Sequence, residues 1–246
     1  MIYLACGVVI GVVMGLTGAG GALIAIPLFL QFLGMDLKEA SVYSLVAVVI
    51  ASLVNYLAQR KATQYPTAIV IITVSAVGSF LTAPYKENLP SLYVILLLSL
   101  VSLYALYSVW VPVSRSTTVG VIPRENIFLS VLVGLLLGGL TTFTGLGGGV
   151  LMLPLFLSLY RYSQSQAVAT SLLAVGLSSL ASLIVQVFRG AEFTVNMDLA
   201  FLVIGILFSV FILRQFVKHL SHEVVTRTRQ IVFSIVVVLA LTKIIF

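Results

Sequence analysis

The charged residues of this chain are confined to the gaps and ends of long apolar runs, and that placement dictates its solvent. Thirteen Lys and Arg and seven Asp and Glu are spread over 246 residues, 8% of the chain, where a water-soluble domain carries about a quarter. A charge at mid-bilayer costs several kcal/mol, so segregation of this kind is what membrane-spanning helices require. Lys243 sits inside the last apolar run, four residues from the end, where its stem can snorkel to the interface. The net charge of +6 therefore reads as basic loops rather than as a nucleic-acid surface. One cysteine, Cys6, excludes an internal disulfide and a Cys-based metal site. Residues 1–16 lack a basic segment ahead of their apolar stretch, so they read as mature structure rather than a signal peptide.

The chain also repeats itself. Shifted by 127 residues, Gly11–Leu30 (GVVMGLTGAGGALIAIPLFL) overlays on Gly138–Leu157 (GGLTTFTGLGGGVLMLPLFL) with nine of twenty positions identical. The match continues at the same offset through Ala40/Ala167, Ser44/Ser171, Leu45/Leu172, Ala47/Ala174 and Ser52/Ser179. The polar stretch Pro112–Asn126 separates the copies, giving a first repeat over 1–111, a linker over 112–126 and a second repeat over 127–246. The apolar runs fall at about 2–16, 22–33, 39–58, 66–83 and 90–111, then 127–142, 149–160, 166–188, 197–213 and 229–246. They are expected to be helices, because an open strand leaves its backbone unsatisfied in lipid.

The first two runs of each copy are too short to cross singly. Each pair is either a tilted broken helix that crosses or a re-entrant hairpin that returns. The basic residues arbitrate. If the pairs cross, seven basic residues face one side and six the other. If they return, Arg60, Lys61, Arg115, Arg124, Arg161, Arg214, Lys218, Arg227 and Arg229 oppose Lys38, Lys86, Arg189 and Lys243. The second partition has the asymmetry of real topologies. The expected fold is thus an all-α polytopic membrane protein of two inverted repeats, each a glycine-broken re-entrant hairpin plus three transmembrane helices, with both termini outside.

The breaks read Thr17-Gly18-Ala19-Gly20-Gly21 and Thr144-Gly145-Leu146-Gly147-Gly148-Gly149. Adjacent glycines favour unwinding and let other groups approach the backbone. The helix that starts after each break aims its free N–H groups and positive dipole end at it, which favours an anion. Thr17 and Thr144 are expected to add hydroxyls, with the threonine placed as an N-cap. Thr17, Gly18, Gly20, Gly21, Thr144, Gly145, Gly147 and Gly148 are therefore the candidate substrate-binding set, a neutral, donor-rich pocket. Gly11/Gly15 and Gly134/Gly138 fit close helix packing instead. A second layer is offered by Ser41, Ser44, Ser52 and Asn55 in one copy and Thr170, Ser171, Ser178, Ser179 and Ser182 in the other, each facing the site or bonding a neighbouring helix. Of these, Ser44, Thr170 and Ser171 are the best site candidates, with Tyr43 standing where the second copy has Thr170. His219 and His222 are too few for a metal site and read as loop residues.

The doubled Gly-rich segments ending in Pro27 and Pro154, followed by Ala40-Ser-Val-Tyr43-Ser44-Leu45 and Ala167-Val-Ala-Thr170-Ser171-Leu172, resemble the sulfite exporter TauE/SafE family along essentially the whole chain. The first copy departs from the family's Thr-Ser-Leu in having Tyr43. The resemblance implies a secondary transporter of sulfur-containing anions such as sulfite, thiosulfate or organosulfonates, embedded in the cell membrane. No cofactor, metal or nucleic acid is expected, the partners being the small anion and membrane lipid, with a homodimer left open. A passive anion channel would look the same in sequence. A membrane-embedded enzyme would need a nucleophile, metal cluster or buried acid–base pair, which the apolar runs lack.

Overall fold

In a computed structural model, residues 1–17, 22–86, 90–110, 127–191, 196–217 and 234 are described. The first break (18–21), the linker (112–126), the loop histidines and nearly all of the last apolar run lie outside them. Every regular element among the described residues is helical: α1 Ile2–Thr17, α2 Ala22–Phe32, α3 Leu37–Gln59, a 3-10 turn Arg60–Ala62, α4 Tyr65–Lys86, α5 Ser91–Trp110, α6 Ile127–Thr144, α7 Gly149–Ser158, α8 Gln164–Phe188 and α9 Met197–Val217. The nine α-helices match the apolar runs to within a few residues. The segments Leu37–Leu57, Tyr65–Lys86, Ile127–Thr144 and Gln164–Phe188 are long and apolar enough to cross a membrane.

The distribution of polarity is inverted relative to a water-soluble protein. Leu92, Leu96, Leu100, Leu103 and Tyr107 form an exposed apolar stripe along α5, while Ser44, Ser52, Ser75, Ser79, Thr141, Thr142, Thr170, Ser171, Ser179 and Ser182 are fully buried. Hydroxyls in a buried interior can bond helix carbonyls, and an apolar exterior of this extent is solvated by lipid.

Two helix starts are fixed by side chains at the 127-residue offset. Asp36 caps α3, its Oδ1 accepting from Glu39 N at 2.7 Å. Ser163 caps α8 in a reciprocal capping box with Gln166, whose Oε1 accepts from Ser163 N at 3.1 Å. Asp36→Ala is expected to cost about 1 kcal/mol, lowering the melting temperature by roughly 2–4 °C, while Asp36→Asn retains most of the stability. Cys6, free and buried, makes the measurement direct: a thiol-reactive dye reports its exposure on heating.

Contacts fix relative helix directions. Thr170, near the start of α8, accepts from Gln64 N, just past the end of α3, at 3.0 Å. Ser41 near the start of α3 and Gln186 near the end of α8 both bind Lys86 Nζ, at 3.0 and 2.6 Å. Helices α3 and α8 therefore run antiparallel. Helices α4 and α6 run parallel, with Gly134 against Ile71 and Val74, and Gly138 against Ser75 and Ser79. So do α1 and α9, with Gly7 against Leu202, and Gly11 against Ile206 and Ser209. Gly11, Gly134 and Gly138 thus sit at tight helix interfaces, as their spacing suggests. These directions gather Arg60, Lys61 and Arg161 at one end of the molecule and Lys38, Lys86 and Arg189 at the other.

Candidate functional site

The second glycine break lies where α3 and α8 cross. Helix α6 ends at Thr144, and Gly145 N still donates to Thr141 O at 2.8 Å. The backbone then turns through Gly145 (φ 70°), Leu146, Gly147 (φ 66°) and Gly148 (φ 65°) before α7 begins. Three left-handed residues in four explain why this segment needs glycine. Space demands it equally: a methyl group on Gly145 would stand 2.4 Å from Ser41 Oγ, and one on Gly147 would stand 2.8 Å from Val48 Cγ1 and 3.6 Å from Val175 Cγ1. Val48 and Val175 are equivalent at the repeat offset, so Gly147 lies between matching positions of α3 and α8.

Two hydroxyls close this site without partners. Thr141 Oγ1 and Ser179 Oγ belong to fully buried residues and have no hydrogen-bond partner among the described residues. A methyl group on Gly147 would be 2.5 Å from Ser179 Oγ, and one on Gly148 would be 3.3 Å from Thr141 Oγ1. Both hydroxyls therefore abut the break. The tight first turn of α7 opens there too, Leu151 N and Met152 N donating to Gly148 O at 3.2 and 3.3 Å.

The sequence-predicted residues distribute unevenly. Ser44 joins Gly145, Gly147 and Gly148: its Oγ lies 2.7 Å from Gly145 O and 2.8 Å from Ser41 O, holding the break against α3. Thr144 is present but is not an N-cap. Gly148 occupies that position, and Thr144 Oγ1 instead donates back to Leu140 O at 2.6 Å and accepts from Leu146 N at 3.2 Å. Being the last residue of α6, Thr144 has a helix carbonyl one turn back within reach, and its proton is spent there. Tyr43 and Thr170 are not brought together. Tyr43 OH reaches Asn196 Oδ1 at 3.5 Å at one end, while Thr170 meets Gln64 at the other. The antiparallel crossing of α3 and α8 separates them by roughly 22 Å along the helix axes. Ser171 Oγ bonds Val168 O at 2.9 Å within its own helix. Thr17, Gly18, Gly20 and Gly21 lie outside the described residues or have side chains that do. Among the second-layer residues, Ser52 and Asn55 bond carbonyls of α3, and Ser182 pairs with Ser79 at 2.6 Å, so these act as interhelical or intrahelical ties.

Thr141 was not singled out by the sequence, although its spacing one helical turn before Thr144 was the available signal. Lys86 was treated as a loop charge. Its ammonium instead turns inward onto Ser41 and Gln186, beside Gly145.

The family model described as Sulfite exporter TauE/SafE matches residues 3–243. A probable membrane transporter protein of Xylella fastidiosa strain Temecula1 is 28% identical over 187 residues, covering 72% of this chain and 69% of its own. Its counterpart in strain 9a5c is 26% identical over 183 residues, with the same two coverages. No solved structure matches significantly.

Proposed function

The chain belongs to the sulfite exporter TauE/SafE family of membrane transporters, and from that premise we propose that it is a multi-pass secondary carrier of the cell membrane, moving a sulfur oxyanion or organosulfonate by alternating access. The observation that carries this reading is the pair of unpartnered, fully buried hydroxyls, Thr141 and Ser179, on a backbone break at the helix crossing. A buried hydroxyl without a partner costs about 1–3 kcal/mol. An anion's oxygens accept from both hydroxyls, and the positive end of α7 adds favourable potential without a covalent or ionic commitment. Neutral donors hold the anion loosely enough for release.

The proposal includes two inverted halves, 1–111 and 127–246, joined by 112–126. Three observations support it. Helices α3 and α8, equivalent at the repeat offset, run antiparallel. Helices α1 and α9 pair as α6 and α4 do, which exchange of inverted halves requires. Arg161 lies at the end carrying Arg60 and Lys61, as returning hairpins demand and crossing ones do not. Alternating access then consists of one half, or its hairpin, rocking against the other about the crossing at Gly147.

The test is uptake of radiolabelled sulfite, thiosulfate, sulfate and a short organosulfonate into proteoliposomes, with counterflow. Saturable uptake accelerated by internal substrate marks a carrier, and unsaturable flux without counterflow marks a channel and sinks the reading. Thr141→Val together with Ser179→Ala is expected to raise KM about 100-fold or more, the value of two hydroxyl hydrogen bonds to a charged ligand, with little loss of thermal stability. Unchanged KM in the double variant removes the break from the binding site.

A further inference from the structure

We propose that Lys86, Gln186 and Ser41 form an anion-binding subsite at the mouth of the Gly145–Gly148 break, supplying the positive charge that the break itself lacks. The inference rests on the reading of this protein as an anion carrier and adds to it the residue that selects for charge.

Lys86 ends α4 but does not point away from the protein. Its Nζ donates to Ser41 Oγ at 3.0 Å and to Gln186 Oε1 at 2.6 Å, tying α4 to both crossing helices. None of Asp36, Glu39 and Asp198, the carboxylates among the described residues, forms an ion pair with it. An ammonium carries three donors, and two are committed to neutral oxygens. Among the described residues its partners are thus neutral, and an ammonium this enclosed favours an anion beside it.

Gln186 points to what that is. The residue is 5% exposed, and its Nε2 has no partner among the described residues. Its amide orientation is dictated by Lys86, because only the carbonyl oxygen can accept from an ammonium. The two amide N–H groups are left as paired donors in a buried place, on the same carboxamide whose oxygen holds the lysine. A remaining ammonium N–H and an amide N–H from one rigid cluster match the adjacent oxygens of a tetrahedral or pyramidal oxyanion. Ser41 links this cluster to the break, its Oγ lying 2.4 Å from where a Gly145 methyl group would stand. At the repeat offset Ser41 is replaced by Val168, which has no hydroxyl, so the arrangement is particular to this end of the molecule. An anion arriving from the end that carries Lys38, Lys86 and Arg189 meets this cluster before it meets Thr141 and Ser179.

Two measurements on the purified full chain test the proposal. In the first, acylation of Lys86 by an amine-reactive acetyl ester is followed by mass spectrometry with sulfite, thiosulfate, sulfate or gluconate present, and normalised to Lys61 at the opposite end. In the second, transport KM and kcat are compared among the wild type, Lys86→Met, Lys86→Arg and Gln186→Leu. The expected results are selective protection of Lys86 by a sulfur oxyanion, and a KM raised about 10- to 100-fold in Lys86→Met, the worth of one charge-assisted hydrogen bond. The kcat should change much less, and Lys86→Arg should recover most of the affinity. If Lys86→Met does not fold, Gln186→Leu keeps the ammonium, removes the amide donors and should still raise KM. Equal acylation of Lys86 with and without every anion, or wild-type KM in a folded Lys86→Met or Gln186→Leu variant, overturns the subsite. A wild type that transports none of these anions while Lys86 is still protected overturns the proposed function and leaves the subsite standing. A transporting wild type whose KM ignores Lys86 and Gln186 does the reverse.

Discussion

Gly147→Ala is expected to abolish transport, by roughly 100-fold or more, in a protein that still folds. Gly147 has φ 66°, a conformation that costs an alanine about 1–2 kcal/mol. Its new methyl group would meet Ser179 Oγ at 2.5 Å and Val48 Cγ1 at 2.8 Å. Those atoms are ends of side chains, so they can give way, but only by moving the Ser179 hydroxyl at the break and the crossing of α3 and α8. Displacements near 1 Å at a binding constellation cost on the order of 100-fold in rate. The helix pairs α1/α9 and α4/α6 lie elsewhere and keep the chain folded. Gly34 supplies the control. Its φ is 64°, nearly the same strain, yet nothing lies within 4 Å of where its methyl group would stand. Gly34→Ala should therefore transport normally with a small loss of stability. If the two variants transport alike, the break at Gly147 is not where the substrate passes.

The helices were legible because one physical rule, exclusion of charge from lipid, marks every α-helix among the described residues. The helices α1 to α9 follow the apolar runs, and the caps at Asp36 and Ser163 start α3 and α8 at the polar residues ahead of two of those runs. The repeat was legible for a different reason. Phe29/Phe156, Leu45/Leu172, Ala47/Ala174, Ser44/Ser171 and Ser52/Ser179 are fully buried in both copies, so these shared residues are ones that pack in the interior. That same fact blurred the site. A residue repeated because it packs looks like a residue repeated because it binds, and Tyr43, Thr170 and Ser171 proved to serve helix ends and helix carbonyls. Antiparallel crossing of α3 and α8 then sends equivalent positions to opposite ends, which a linear offset does not convey. Thr141 escaped notice for the converse reason. It stands opposite Met14 at the offset, so a search for symmetry passes over its hydroxyl. Lys86 escaped because a charge at the end of an apolar run is normally solvated, and only three-dimensional contacts reveal that it turns inward.

Gly138→Ala and Gly139→Ala, substitutions one residue apart on α6, should move stability in opposite directions. Both replace a helical glycine, which alone favours alanine by about 1 kcal/mol. At Gly139 the new methyl group would have one neighbour, Thr82 Cγ2 at 3.4 Å, an ordinary contact, so the helix-forming gain survives. At Gly138 it would stand 2.2 Å from Ser75 O and 2.9 Å from Ser79 N, both backbone atoms of α4. Backbone cannot rotate away as a side chain can. The helices must separate, and separation also breaks the Ser79 Oγ bond to Gly138 O at 3.2 Å and loosens the Ser79–Ser182 pair at 2.6 Å that ties α4 to α8. Overpacking of a tight interface costs about 3 kcal/mol at the upper end of its usual range, which corresponds to roughly 6–12 °C of melting temperature for a chain this long. Gly138→Val, with two more carbons in the same gap, should leave no folded protein. Cys6, on α1 and remote from the α4/α6 pair, reports each unfolding through dye reactivity without being part of the perturbed contact. Equal melting temperatures for the two alanine variants would mean that α4 and α6 do not touch at Gly138, and the parallel pairing that supports the inverted halves would lose its ground.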